Sequence, residues 1–303
     1  AGCIVLLIPT NVSDENLEYQ LRKTMPIGII STNLYKEKIG RIKLPKKTKF
    51  ISAGELFKKV DGKVIDRRIS PSDVASIVFT SGSTASAKGV KLQHSNVVQA
   101  TKNIIKFLKL KETDIDINIS PLSHSFGSGH MHCIFAVGGT EILFKDSINL
   151  RKILETIISN KATTLSAVPT ILQLFVLHYS RTLSKCDKYL RFIQTNTSTL
   201  NGNLIKKIFS LLPTTDFHYY YGLTEASRSS FITLNKNKDK LMSIGKASPN
   251  VRIKLVDGKG KRLSAGKVGE ICIKGTHVIS EYWKNSKVSQ KKIKKGWLYT
   301  GDM

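Results

Sequence analysis

Short apolar runs alternate with amphipathic stretches along most of the chain. Residues 3–8, 27–30, 76–80, 115–119, 141–144, 163–167, 192–195 and 217–221 predict strands; residues 15–23, 96–108, 150–159, 170–178 and 204–211 predict helices. Within 150–159, Ile153, Ile157 and Ile158 recur at helical spacing and mark one buried face. Largely apolar strands separated by helices predict an α/β fold, with a mostly parallel sheet covered on both faces. Residues 115–119 stand apart: Asp116 and Asn118 alternate with isoleucines, which predicts one polar face. After Ser248 the character changes. Segments 252–256 and 270–273 are separated by the turn pairs Asp257-Gly258 and Ala265-Gly266, which predicts a smaller β-rich subdomain over 248–303 beside an α/β region over 1–247.

Composition changes this picture little. A chain of 303 residues with 41% hydrophobic and 23% charged residues can bury a large core. Residues 1–9 are apolar but too short to span a bilayer and lack a basic flank, so they predict a buried strand rather than a signal peptide. No transmembrane helix is expected. Cys3, Cys133, Cys186 and Cys272 are widely spaced, which suits buried thiols in a reducing cytoplasm. The net charge is +26. The densest basic runs, 36–47 and 284–295, lack interleaved stacking aromatics, and no nucleic-acid-binding motif is present. A nucleic-acid binder is therefore disfavoured, whereas a basic surface also attracts polyanionic small molecules.

Four segments carry candidate chemistry. Residues 76–90 read SIVFTSGSTASAKGV: a buried strand, then hydroxyl and glycine residues and one lysine. Such a loop either cradles phosphate or is an ordinary Ser/Gly-rich turn. It is not a Walker A loop, because Lys88 lies between Ala87 and Gly89. Residues 219–226 read YYYGLTEA, residues 296–302 GWLYTGD and residues 121–127 PLSHSFG. Tyrosines at a strand end can pack a core or stack on a base, and an aspartate beside Gly301 can serve a turn or a sugar. His130, His132 and Cys133 match no standard zinc spacing and are expected in the core or pocket.

Together these segments resemble, in order, the signatures of the AMP-forming acyl-activating superfamily, which contains acyl-CoA synthetases, adenylation domains and luciferases. The chain looks most like the large N-terminal domain of a fatty-acid–CoA ligase. The resemblance implies phosphate binding by Thr80, Ser81, Gly82, Ser83, Thr84 and Lys88. It implies adenine contacts from Tyr221 and from the neighbouring Tyr220, Gly222, Asn196 and Thr197, and a ribose contact from Asp302. Thr224 would contact the α-phosphate and Glu225 would bind Mg²⁺. His124 would lie near the reacting carboxylate, with Phe126 and Gly127 in the acyl pocket. ATP, Mg²⁺, a carboxylic acid and the thiol of CoA or a carrier protein are the implied cofactors and partners. Three positions depart from the family pattern: Ala85 and Glu281 replace glycine and Ala87 replaces proline.

The family's small C-terminal domain is not assignable, and the chain starts inside the expected N-terminal region. A fragment that adenylates poorly is therefore expected, and a non-catalytic ATP-binding or regulatory module is the alternative. No Asp or Glu lies between Ile119 and Gly139, where amino-acid-activating members hold the substrate ammonium. That favours an uncharged tail, a fatty acid ahead of an aryl acid, in an apolar pocket that includes residues 165–168.

Overall fold

The computed structural model describes residues 2–57, 68–80, 87–144, 149–196 and 201–303. Its centre is a seven-stranded sheet in the order Lys246–Ala247, Ala226–Thr233, Asp216–Leu223, Phe192–Asn196, Thr164–Ser166, Ile115–Asn118, Thr140–Leu143. The last five strands run parallel, and the first two pair antiparallel. The chain crosses between parallel strands through helices, as such a sheet requires. Their starts carry the expected signals. Asn149 caps Leu150–Ser159 by accepting from Lys152 N, Pro169 occupies the first turn of Pro169–His178, and Asn201 caps Gly202–Leu211.

Alternation along the strands divides the core into two layers. One face buries Ile117, Leu165, Ile193, Phe217 and Tyr219 against Ile153, Leu154, Phe175, Leu183 and Ile205 of the crossover helices. The other buries Phe192, Tyr220 and Phe231 against helices His94–Leu108 and Ser125–Ala136, through Ile104, Leu108, Cys133 and Ile134. This second face is polar where the sequence suggests, but it is not solvated. Asp116, Asn118, Thr164, Ser166 and Gln194 lie under helix Ser125–Ala136. There His130 bonds to both Asp116 (3.0 Å) and Gln194 (2.6 Å), and Asn118 bonds to Glu141 (2.6 Å). The helix accepts polar strands because its own inner face carries a histidine.

Smaller sheets flank this body. Val5–Leu7, Val74–Thr80 and Lys88–Gln93 form one, Gly28–Ser31 and Lys49–Ser52 a second, and Arg252–Val256, Glu270–Lys274, Trp297–Tyr299 and Ile293–Lys294 a third. Helix Ser125–Ala136 and strand Ala226–Thr233 are absent from the sequence reading. Half of the helix's residues are buried, but polar Ser128 and His130 lie inward while Phe135 is exposed, so its apolar positions show almost no 3.6-residue period. The strand begins Ala-Ser-Arg-Ser-Ser, polar residues that the fold nevertheless buries. Among the described residues no helix is long and apolar enough to cross a membrane.

Candidate active site

The parallel strands end on one side of the large sheet, and there a cleft of about 490 Å³ opens. Clefts at the carboxyl ends of parallel strands are the usual binding sites of such sheets. Each strand delivers a piece. Ser120 and Pro121 follow the strand Ile115–Asn118, Val168 follows Thr164–Ser166, Asn196 ends its strand, and Tyr220 and Gly222 lie near the end of Asp216–Leu223. His124, Ser125 and Phe126, at the start of helix Ser125–Ala136, form another wall. Thr224 completes the rim, with its hydroxyl 3.4 Å from that of Ser125.

Thr224 and Glu225 form the two-residue tip of a hairpin, because Leu223 pairs with Ala226. Beyond that pair the register slips. Tyr221 pairs with Ser230, so Ser227, Arg228 and Ser229 bulge opposite Gly222. A Cβ on Gly222 would stand 2.4 Å from Arg228 N, so only glycine lets the bulge close over the strand. Hydrogen bonds pin the bulge: Ser229 Oγ donates to Ala226 O (2.9 Å) and Ser248 Oγ to Arg228 O (2.8 Å).

Glu225 sits at the tip, half-buried, and Tyr282 donates to its Oε1 at 2.8 Å. Burial first, and then the neighbouring Glu225 charge, push the Tyr282 phenol up, so it stays a donor. One donor leaves most of a carboxylate's lone pairs open. Glu225 thus fits a magnesium ion that takes few protein ligands and draws the rest from phosphate and water. Behind the tip, Tyr221 donates to Asp302 Oδ2 at 2.6 Å. Asp302 is exposed and held in place through its backbone, donating to Thr300 Oγ1 and accepting from Ile271 N. Its second oxygen is open to further donors such as sugar hydroxyls.

Of the residues named from the sequence, the cleft brings together His124, Phe126, Asn196, Tyr220, Gly222 and Thr224. Glu225 follows Thr224 at the hairpin tip, whereas Tyr221 and Asp302 are not among the lining residues; Tyr221 packs with Ile271, Ile273 and Leu298. Gly127 does not line it. A Cβ there would stand 2.5 Å from Pro121 O, so this glycine lets the helix start against the preceding loop. Of residues 165–168 only Val168 reaches the cleft; Leu165 and Ala167 belong to the core. Thr80 and Lys88 face each other across an antiparallel pair, so the Ser/Gly-rich segment joins two strands. Ser81, Gly82, Ser83, Thr84, Ala85 and Thr197 lie outside the described residues. Ala87 accepts from the Tyr19 hydroxyl (3.2 Å), and Glu281 forms an ion pair with Lys91 that joins its segment to the neighbouring strand.

Sequence reading missed Ser125, Arg228 and Tyr282 as members of this site. Among the described residues Arg228 is the largest fully buried side chain, 1% exposed, yet it lines the cleft. The signal available was an arginine inside a run of small residues directly after the Thr-Glu pair.

The site is thus a helix-backed parallel sheet with a cleft at its strand ends, edged by a Thr-Glu hairpin. Over 98% of its length the chain superposes on 61% of O-succinylbenzoate coenzyme A synthetase of Bacillus subtilis, solved with ATP and magnesium (TM-score 0.86, 23% identity). Over 99% it superposes on 76% of VinN (TM-score 0.87, 22% identity). The AMP-binding enzyme model matches residues 1–283, and the chain belongs to that family. Among curated relatives, it is 31% identical over 245 residues to acyl-CoA ligase SID4 of Ajellomyces capsulatus, covering 77% of this chain and 41% of that one. It is 26% identical over 302 residues to long chain acyl-CoA synthetase 5 of Arabidopsis thaliana, covering 82% and 45%. The chain thus spans less than half the length of these relatives.

Proposed function

We propose that this chain is the nucleotide- and acyl-binding part of an AMP-forming acid–thiol ligase. The observation that carries the reading is the convergence of Thr224, His124, Ser125 and Asn196 on one cleft, with Glu225 next to Thr224 at the hairpin tip. In the first half-reaction a carboxylate oxygen bonds to the α-phosphorus of ATP. The α–β anhydride bond breaks, giving acyl-adenylate and pyrophosphate. In the second, the sulfur of CoA or a carrier thiol bonds to the acyl carbon, and AMP leaves with the bonding electrons. Magnesium, when bound, neutralises phosphate charge.

The chain's own residues position these groups. Thr224 and Ser125 offer hydroxyls to the α-phosphate at the rim. His124 stands beside the entering carboxylate, and Asp302 accepts from the ribose. Tyr221, Tyr220, Gly222, Asn196 and Thr197 enclose the base, and Thr80, Ser81, Gly82, Ser83, Thr84 and Lys88 hold the outer phosphates. Gly127 acts by seating the helix. Within this scheme, 1–247 forms the nucleotide- and acyl-binding region, 248–303 a β-rich subdomain that supplies Asp302, and the cytoplasm is the compartment. Phe126, Val168 and Leu223 suit the apolar segment of a fatty acid, the substrate that the sequence ranks first. Arg228 has no part in holding such a tail.

Carboxylate-dependent exchange of pyrophosphate into ATP tests the reading. Weak exchange is expected with this chain alone and magnesium, and Thr224→Ala lowers it by about a further 10- to 100-fold. ATP binding without exchange for any acid would favour a non-catalytic nucleotide-binding module instead.

A further inference from the structure

We propose that Arg228 recognises a second carboxylate on the substrate, so that the cleft selects a short dicarboxylic acid over a plain fatty acid. The inference rests on the reading above that the cleft holds the acid to be activated.

A guanidinium stays charged at any physiological pH, so burying one is costly unless it is paired. Arg228 is buried and poorly paired. Nη2 donates to Phe126 O (3.1 Å) and Nη1 to Ser227 Oγ (3.4 Å), both neutral acceptors. Nε has no partner among the described residues, and no described carboxylate forms an ion pair with the group. The rings of Tyr220 and Phe126 lie 4.8 and 5.1 Å from its central carbon, which eases the burial but supplies no acceptor. The carboxylates under the same helix bond elsewhere through one oxygen each, Asp116 Oδ1 to His130 and Thr164 and Glu141 Oε1 to Asn118, and neither forms an ion pair with Arg228. An anion entering the cleft supplies what the protein leaves out.

The backbone reinforces this. Arg228 has φ +50°, a left-handed conformation disfavoured for a long side chain. It is held there by the pinned bulge, at the edge of the cleft, where strain of this kind usually serves function. Nη1 lies 3.1 Å from where a Cβ on Gly129 would stand, so that glycine makes room for the guanidinium. The contact between Ser125 and Thr224 marks the reacting end, four residues earlier on the same helix. Four residues advance a helix by about 6 Å. An acid with carboxylates at both ends of a short chain bridges that interval, and the second one meets a planar fork suited to two-point pairing.

Calorimetric titration of the chain with AMP present compares acids of equal length: glutarate with pentanoate, and adipate with hexanoate. The diacids are expected to bind at least about 10-fold more tightly. Arg228→Asn, which suits the left-handed backbone, should abolish the preference, and Arg228→Lys should retain part of it. A purely structural arginine would leave the ratio of diacid to monoacid affinity unchanged in Arg228→Asn. That result, wild-type preference for the monoacids, or no binding of either diacid overturns the proposal. Pyrophosphate exchange with the same four acids reports separately on activation. Exchange with monoacids alone sinks the diacid assignment and leaves acid activation intact. Diacid binding that depends on Arg228 without any exchange upholds recognition and overturns activation.

Discussion

Helix Ser125–Ala136 covers two buried polar regions that solve the same problem in opposite ways. Toward its middle, His130 meets Asp116 and Gln194, Thr164 also bonds to Asp116, and Asn118 bonds to Glu141. Each ionisable group there has a bonded protein neighbour. Toward the cleft, Arg228 has among the described residues only a carbonyl and a hydroxyl as hydrogen-bond partners, although it is as deeply buried. The first region is the more complete, although Asp116 Oδ2, Glu141 Oε2 and Gln194 Oε1 have no partner among the described residues. The second is a socket with its charge in place and no described counter-charge. A buried polar group with protein partners reads as structure; one whose complement is absent reads as recognition.

The sharpest way to break this contrast is to remove a partner from the first region. Asp116→Ala strips His130 and Thr164 of their shared acceptor, and we expect a loss of about 3–5 kcal/mol in urea-melt stability. A loss below about 1 kcal/mol would mean that the network is not a structural unit. Next comes acid. Burial lowers the pKa of both His218 and His277 to about 4, against about 6.5 unfolded. Between those values the unfolded chain takes up protons that the folded chain refuses. Stability is therefore present in full above about pH 6.5 and lost as pH falls toward 4, by up to about 1.4 kcal/mol per pH unit for each histidine. Replacing both histidines with Gln should flatten that part of a melting-temperature profile; an unchanged slope would assign it to other groups.

Tyr282→Phe removes one donor from Glu225, which should cost about 1 kcal/mol and change the magnesium dependence of nucleotide binding. Unaltered magnesium dependence would separate Glu225 from the metal. The smallest stability effect is expected at Arg228. Arg228→Asn removes an incompletely paired charge and relieves a left-handed backbone, so stability should stay within about 1 kcal/mol of wild type or rise. A large loss there would make the two regions alike.

Much of this was legible beforehand. Helix Leu150–Ser159 and strand Arg252–Val256 have the bounds that their periodicity predicts, because one face of each meets core. His124 and Thr224 were named from two of the ordered motifs and Asn196 from a weaker positional match, and all three line the cleft. Helix Ser125–Ala136 was not, since polar Ser128 and His130 on its buried side and Phe135 on its exposed side erase its period. Arg228 was not, because its entry into the cleft depends on a bulge, and bulges come from pairing register that a single strand does not encode. Gly127 carries the right motif for a different reason, a close approach that no spacing rule contains.

The segment that includes Tyr282 has one more consequence. Val90 bridges to Tyr282, Trp283 N donates to Gly89 O, Ile279 N to Glu225 O, and Asn96 reaches back to Thr276 and Val278. One short stretch thus buttons the strand after the Ser/Gly-rich segment and the Thr-Glu hairpin to a third sheet, and the Lys91–Glu281 pair spans 190 positions. On a ribosome, the large sheet can form while these buttons are still unmade. We expect the rim to acquire its final shape only after residues 276–283 have emerged, later than the strands of the large sheet.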